Sequence, residues 1–257
     1  MSEPVLLHHV KDHVAWLTLN REERRNALSP EMIDLFFESL DSAETDDDVR
    51  VICITGKGDK AFCSGADLAS SFEGSEHVEG AKKYASLLKR MAEYPKPIVA
   101  KVNGHCIAGG MGLMLSCDIV YAKDGIKIGT PEVNVGLFPM MIGALIFRNA
   151  GRKKALEMVY TGRMLTAGEA EEMGLITRAV TPDELDAVTN ETLRTIASKA
   201  PLAIKIGRQA FAVAQDYGLS DTLDYLCERL GDVVRTEDAK EGLTAFLQKR
   251  EPVWKGR

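Results

Sequence analysis

The segment "HCIAGGMGLML", His105–Leu115, decides how this chain folds. Two adjacent glycines open an apolar run that carries no charge. The runs on either side, "IVAKV" (98–102) and "DIVYA" (118–122), are rich in β-branched residues and read as strands. The glycine pair therefore enters a buried helix between two strands. The first N–H groups of a helix have no partner inside it. Glycine leaves such groups open to close approach, so Ala108-Gly109-Gly110 can face a negatively charged oxygen. The loop Cys63-Ser64-Gly65-Ala66-Asp67 supplies a second N–H from another direction. Two converging donors make an oxyanion hole, each typically worth about 2.7–4 kcal/mol in a transition state.

Working outward, "VLLHHVKDHVAWLTLN" reads as two short strands with a turn near Lys11–Asp12. Ser29 is placed to cap a helix that begins at Pro30, with Met32, Leu35, Phe36 and Leu40 on one face. "VRVICIT" (49–55) reads as a buried strand and 56–67 as a glycine-containing loop. A helix is expected over 77–93. Beyond about residue 140 the pattern is helical to the end, "LITRAV" alone reading as a strand. The expected division is a strand–helix core over 1–195 and a helical region over 196–257.

The chain has 257 residues, 45% of them hydrophobic and 27% charged, with a formal net charge of -6. It is long enough to bury a sizeable core. The acidic balance argues against nucleic acid or an anionic membrane as partner. The longest apolar stretch, 98–122, is interrupted by Lys101, Asn103, His105 and Asp118, which makes it core and not a membrane span. The five cysteines form no Cys-x-x-Cys pair, as expected of reduced thiols in the cytoplasm. "MSEPVLLHHVKDH" lacks the basic start and long apolar run of a signal peptide.

The motifs "RNALS", "FCSGAD", "NGHCIAGGMG", "CDIVYA" and "GTPEVNVGLFP" occur in that order. With them the chain resembles the enoyl-CoA hydratase/isomerase (crotonase) family over nearly its whole length. The resemblance implies an α/β fold, a spiral of ββα units followed by C-terminal helices that build a homotrimer or a dimer of trimers. It implies an acyl thioester of coenzyme A as substrate, with no separate cofactor and no metal. It places the oxyanion-hole amides at Ala66 and Gly109. Arg25 and Ala27, the loop Ser64, Gly65, Asp67 and Leu68, and, near the end, Phe246 and Lys249 fall at positions that contact coenzyme A. The last two often reach it across a subunit interface. A lysine common in the hydratases is replaced here by Ala69.

The hydratases of that family carry two glutamates. The second matches Glu132, and the first falls on Gly112. Position 112 lies three residues past Gly109, so both share a helical face. A side chain there would lean over the oxyanion hole, and glycine is expected to leave that space empty. Adding water across a double bond requires orienting and deprotonating the water and protonating the neighbouring carbon, work suited to two carboxylates. Moving a double bond needs only one base, which takes a proton at C2 and returns it at C4. Such a group contributes roughly 10²–10⁴-fold. The expected reaction is thus an isomerisation, with Glu132 as sole base in an apolar pocket near Leu137, Phe138, Met140 and Ile142, where burial raises its pKa. Hydration through Glu132 alone, a non-catalytic acyl-CoA binder and an RNA-binding offshoot are the alternatives. His105 is expected to be satisfied by backbone. His8, His9 and His13 show no metal-like partners, and Cys63 and Cys106 lack the histidine–acid pair of a nucleophile.

Overall fold

"VICITG", Val51–Gly56 (β3), is buried at every residue, as a central parallel strand covered on both faces must be. It lies beside Val14–Leu19 (β2), with Val14 opposite Val51, and Ile98–Val102 (β5), with Ile52 opposite Ile98. The computed structural model describes residues 3–66 and 74–257. Within them Leu6–Lys11 (β1) pairs antiparallel with β2. Ile119–Lys123 (β7) and Arg178–Val180 (β9) extend the sheet in parallel, giving the order β1-β2-β3-β5-β7-β9.

A second sheet is built from very short strands: Ala61–Cys63 (β4), His105–Ile107 (β6) and Ile128–Gly129 (β8), all parallel. The two sheets share one winding rule. From β3 the chain crosses to β4 and then enters Gly74–Ala92 (α2). From β5 it crosses to β6 and enters Gly109–Leu115 (α3). From β7 it crosses to β8 and a 3-10 turn at Pro131–Val135. Strand, strand, helix repeats as a spiral, and the ends of the small sheet's strands gather the loops in one place. The stretch 56–67, expected to be loop, thus contains β4. Three residues are too few to show a period, and Ala61 pairs with His105, far away in sequence.

Helix Pro30–Thr45 (α1) forms as its sequence dictates. The Ser29 side chain accepts from the Met32 amide at 3.2 Å, Pro30 sits in the first turn, and Met32, Ile33, Phe36, Leu40 and Ala43 are buried. They join Leu17, Ile52, Ile54, Leu87, Met91 and Ile98 in the main core. Each such side chain contributes about 1.5–3 kcal/mol by leaving water. The other face of the large sheet is covered by Leu185–Ala197 (α7), whose Leu193 and Ala197 pack on Val14, Val51, Cys53 and Val99.

Met140–Asn149 (α4), Arg152–Thr161 (α5) and Ala167–Glu172 (α6) follow the small sheet. Of the expected strand "LITRAV", only Arg178–Val180 is extended. Three long helices close the chain: Pro201–Ala214 (α8), Leu219–Val234 (α9) and Glu237–Gln248 (α10). Helix α9 buries none of its residues, and Leu219, Leu223, Leu230 and Val234 stand in solvent. Among the described residues no helix is long and apolar enough to cross a membrane.

Candidate active site

The segment Arg21–Leu28 forms the first wall. After a 3-10 turn at Glu22–Arg24, Arg25 and Asn26 both adopt left-handed backbone, φ 52° and 54°, a conformation asparagine tolerates better than most residues. Asn26 is fully buried. Its amide nitrogen donates to the carbonyls of Lys57 at 3.0 Å and Ala61 at 2.7 Å, and its oxygen accepts from the Arg21 amide at 3.1 Å. So anchored, the segment runs alongside the next loop: the Ser64 amide donates to the Arg25 carbonyl and the Leu28 amide to the Gly65 carbonyl, at 3.1 and 2.8 Å.

That second loop meets the start of α3. Gly65 has φ +93°, and a β-carbon there would stand 2.9 Å from the Gly109 nitrogen. A β-carbon on Gly109 would in turn lie 3.3 Å from the Ala66 nitrogen. The two amides expected to form the hole are therefore brought side by side. Among the described residues no oxygen accepts a hydrogen bond from either of them. Ala108, which leads into Gly109, has φ 51° and ψ −126°, a strained conformation for a residue with a β-carbon. It is held by its amide on the Gly129 carbonyl at 2.9 Å and by its carbonyl, which accepts from Met111 at 2.8 Å. Gly110 packs against β4, where a side chain would run into the Cys63 carbonyl at 2.3 Å.

Glu132 enters from the third turn of the spiral. It follows β8 directly, in the 3-10 turn begun by Pro131. Its Oε2 is buried and has no partner among the described residues, and burial raises its pKa above the ordinary carboxylate value. Of the apolar residues expected around it, Ile142 is buried, whereas Leu137, Phe138 and Met140 are exposed.

The space expected to be empty at Gly112 is filled. The Tyr84 hydroxyl of α2 stands there: a β-carbon at Gly112 would lie 2.2 Å from it, and 3.2 Å from Ile142 Cγ1. Tyr84 is buried and donates a hydrogen bond to the Gly109 carbonyl. Desolvation is the main reason its phenol is held well above its usual pKa, with the Glu132 charge among the further causes. Tyr84 thus ties α2 to the Gly109 turn. Sequence reading misses this residue because it lies in another helix, and misses the anchoring role of Asn26 because its partners are carbonyls of distant residues.

The other expected residues divide. Arg25, Ala27, Ser64 and Gly65 line the two loops just described. Asp67, Leu68 and Ala69 lie outside the described residues. Phe246 and Lys249 stand exposed at the end of α10, which packs on α8 and α9, so among the described residues no contact brings them to the amide pair. His105 Nδ1 accepts from the Lys127 amide at 2.9 Å, a backbone role as expected. Burial pushes the Cys63 thiol up to about 12 and the Cys106 thiol well above its usual value, which leaves neither a ready thiolate. A separate cleft of about 720 Å³ between α4 and α8 is lined by residues including Asp118, Arg148 and Arg208. It contains neither amide nor Glu132, and its Asp118 and Arg208 are paired with each other, so it is a joint between elements and not the reacting site.

A spiral of strand–strand–helix turns with its loops gathered at the small sheet is the crotonase fold. The solved structure of an enoyl-CoA hydratase from Bacillus anthracis matches it with a TM-score of 0.94 at 31% identity, over 98% of this chain and 100% of that one. The sequence profile of the family "Enoyl-CoA hydratase/isomerase" matches residues 9–257, and the chain belongs to that family. It is 35% identical to the (E)-benzylidenesuccinyl-CoA hydratase of Thauera aromatica, over 98% of this chain and 99% of the relative. It is 33% identical to the 2,3-dehydroadipyl-CoA hydratase of Escherichia coli, over the full length of both.

Proposed function

We propose that this chain shifts the double bond of an enoyl-CoA thioester, with Glu132 as its single base. The observation that carries this reading is the pairing of one buried carboxylate oxygen, unpartnered among the described residues, with a glycine at 112 whose side-chain space is entered by the Tyr84 hydroxyl and not by a second acid. The thioester oxygen would rest between the Ala66 and Gly109 amides. Glu132 would take the C2 proton as the electron pair moves onto that oxygen, then return the proton at C4 as the C2–C3 double bond forms. Arg25, Ala27, Ser64, Gly65, Asp67 and Leu68 would hold the coenzyme A portion, which belongs to the substrate. Phe246 and Lys249 would do so for a neighbouring subunit. The exposed apolar faces of α9 and α10 support 196–257 as the oligomerisation region of a homotrimer or dimer of trimers, and five free cysteines are compatible with a reducing cytoplasm.

The test is Glu132→Gln, followed by exchange of the C2 proton of a bound acyl-CoA in deuterium oxide. Loss of exchange supports the assignment and unchanged exchange overturns it. Hydration by Glu132 alone is the second reading, favoured by the hydratase names of the relatives. Incubation with trans-3-hexenoyl-CoA and trans-2-hexenoyl-CoA separates the two, since only isomerisation builds the conjugated thioester from the first.

A further inference from the structure

Helix α3 presents two glycines, Gly109 and Gly112, on one face, and the ring of Tyr84 lies against that face. The phenol oxygen stands 2.2 Å from where a β-carbon at 112 would be, and ring atom Cζ stands 3.3 Å from it. The hydroxyl is fixed there by its hydrogen bond to the Gly109 carbonyl. Ile142 closes the other side, its Cγ1 3.2 Å from the same point. Any side chain at 112, and any water held by one, would need the volume that Tyr84 fills. The phenol proton is committed to a backbone carbonyl, so it is not offered to a reacting carbon.

We propose that Tyr84 is a specificity-determining residue: by filling the space in front of Gly112 it excludes an attacking water and confines the Glu132 proton to the carbon skeleton of the substrate. The inference rests on the single-base reading above. It concerns the balance between two reactions that each place negative charge on the thioester oxygen. In isomerisation the proton taken from C2 is returned to C4 and nothing is added. In hydration a water oxygen bonds to C3 and a proton to C2, so the water must have a place to stand. The bulk of Tyr84, and not the acidity of its hydroxyl, removes that place.

The experiment measures the ratio of hydration of trans-2-hexenoyl-CoA to isomerisation of trans-3-hexenoyl-CoA in a set of variants. Tyr84→Ala should raise the ratio at least about tenfold, and Tyr84→Ala with Gly112→Glu further, toward the roughly 10²–10⁴-fold that a positioned acid–base group supplies. Tyr84→Phe, which keeps the ring and frees only the volume of the hydroxyl, should raise the ratio far less than Tyr84→Ala. Gly112→Glu alone should give no gain in hydration, because Tyr84 stands in its way. An unmoved ratio in Tyr84→Ala, or a rise in Tyr84→Phe as large as in Tyr84→Ala, would overturn the proposal. Should the alanine variant not fold, thermal unfolding decides. Gly112→Ala should lower the melting temperature in the native background and much less beside Tyr84→Phe; equal losses in both would show that the two positions do not compete for space. Glu132→Gln run alongside separates the two levels: if it retains both reactions, the single-base reading falls, whereas if it is silent and the ratio is unmoved, only the role of Tyr84 falls.

Discussion

Asp118 receives the Nε of Arg208 on both carboxylate oxygens, at 2.8 and 3.1 Å, and one of those oxygens also accepts the Ile98 amide at 2.7 Å. The same guanidinium donates to the carbonyls of Met91 and Tyr94, at and just beyond the end of α2. One side chain from α8 thus ties together the end of α2, the start of β5 and the entry to β7. The Arg208 side chain is only 11% exposed, so its charge is poorly solvated elsewhere.

Arg208→Ala should therefore cost about 2–3 kcal/mol, between the values of exposed and fully buried pairs. It leaves Asp118 and the carbonyls around the end of α2 short of partners. Urea unfolding of the purified protein checks this. Arg208→Lys should recover only part of the loss, since an ammonium cannot reproduce the planar fork.

Asn26 should prove as consequential as any reacting group. Asn26→Ala removes three hydrogen bonds from a fully buried site, at about 1 kcal/mol each, and puts a less tolerant residue into left-handed backbone. The expected loss is about 2–4 kcal/mol. Asn26→Asp should be no better despite its near-identical shape, because a carboxylate cannot donate to the carbonyls of Lys57 and Ala61. Both variants should lose enoyl-CoA turnover as well as stability, since this segment holds Ser64 through Ala66 in place. Thermal unfolding and steady-state rates together test it. A variant that keeps full turnover would separate the anchor from the site.

Glu132 gives a pH prediction in two parts. Its folded-state pKa is raised by burial, so the folded chain holds a proton that the unfolded chain has released. Stability then falls as pH rises from the ordinary carboxylate value of about 4.3 to the raised folded value. Below that window both states are protonated and the loss disappears. Glu132→Gln should thus melt at a higher temperature than the native chain near neutral pH, with the difference fading as the pH drops through the window. On the single-base proposal, the acid limb of kcat/KM should lie above the ordinary carboxylate value, because a general base works only when ionised. A limb at that ordinary value would place Glu132 in water.

Much of the scaffold was legible from residues alone, for identifiable reasons. Ser29, Pro30 and the spacing of Met32, Phe36 and Leu40 announce α1, because capping and periodicity are local properties. The buried run Val51–Gly56 announces a central strand for the same reason. The small sheet was not legible. Its strands are two or three residues long, and their pairing depends on segments tens of residues apart. At the site, Gly109, Ala66 and Glu132 could be picked out with the help of the family resemblance. The occupant of the Gly112 space could not, because a glycine reports that something comes close without saying what. Asn26 was hidden likewise: it reads as one more turn residue until Lys57 and Ala61 are folded against it.

Ala108 carries a last consequence. Its backbone is one that alanine would abandon in a free peptide, and the Gly129 carbonyl on one side and the Met111 amide on the other hold it there. The aim of the Gly109 amide is thus borrowed in part from β8 and not stored wholly in the segment itself. A fragment cut out around residues 105–115 would relax and lose its aim. A substitution that merely loosens β8 would slow turnover without touching a single reacting atom.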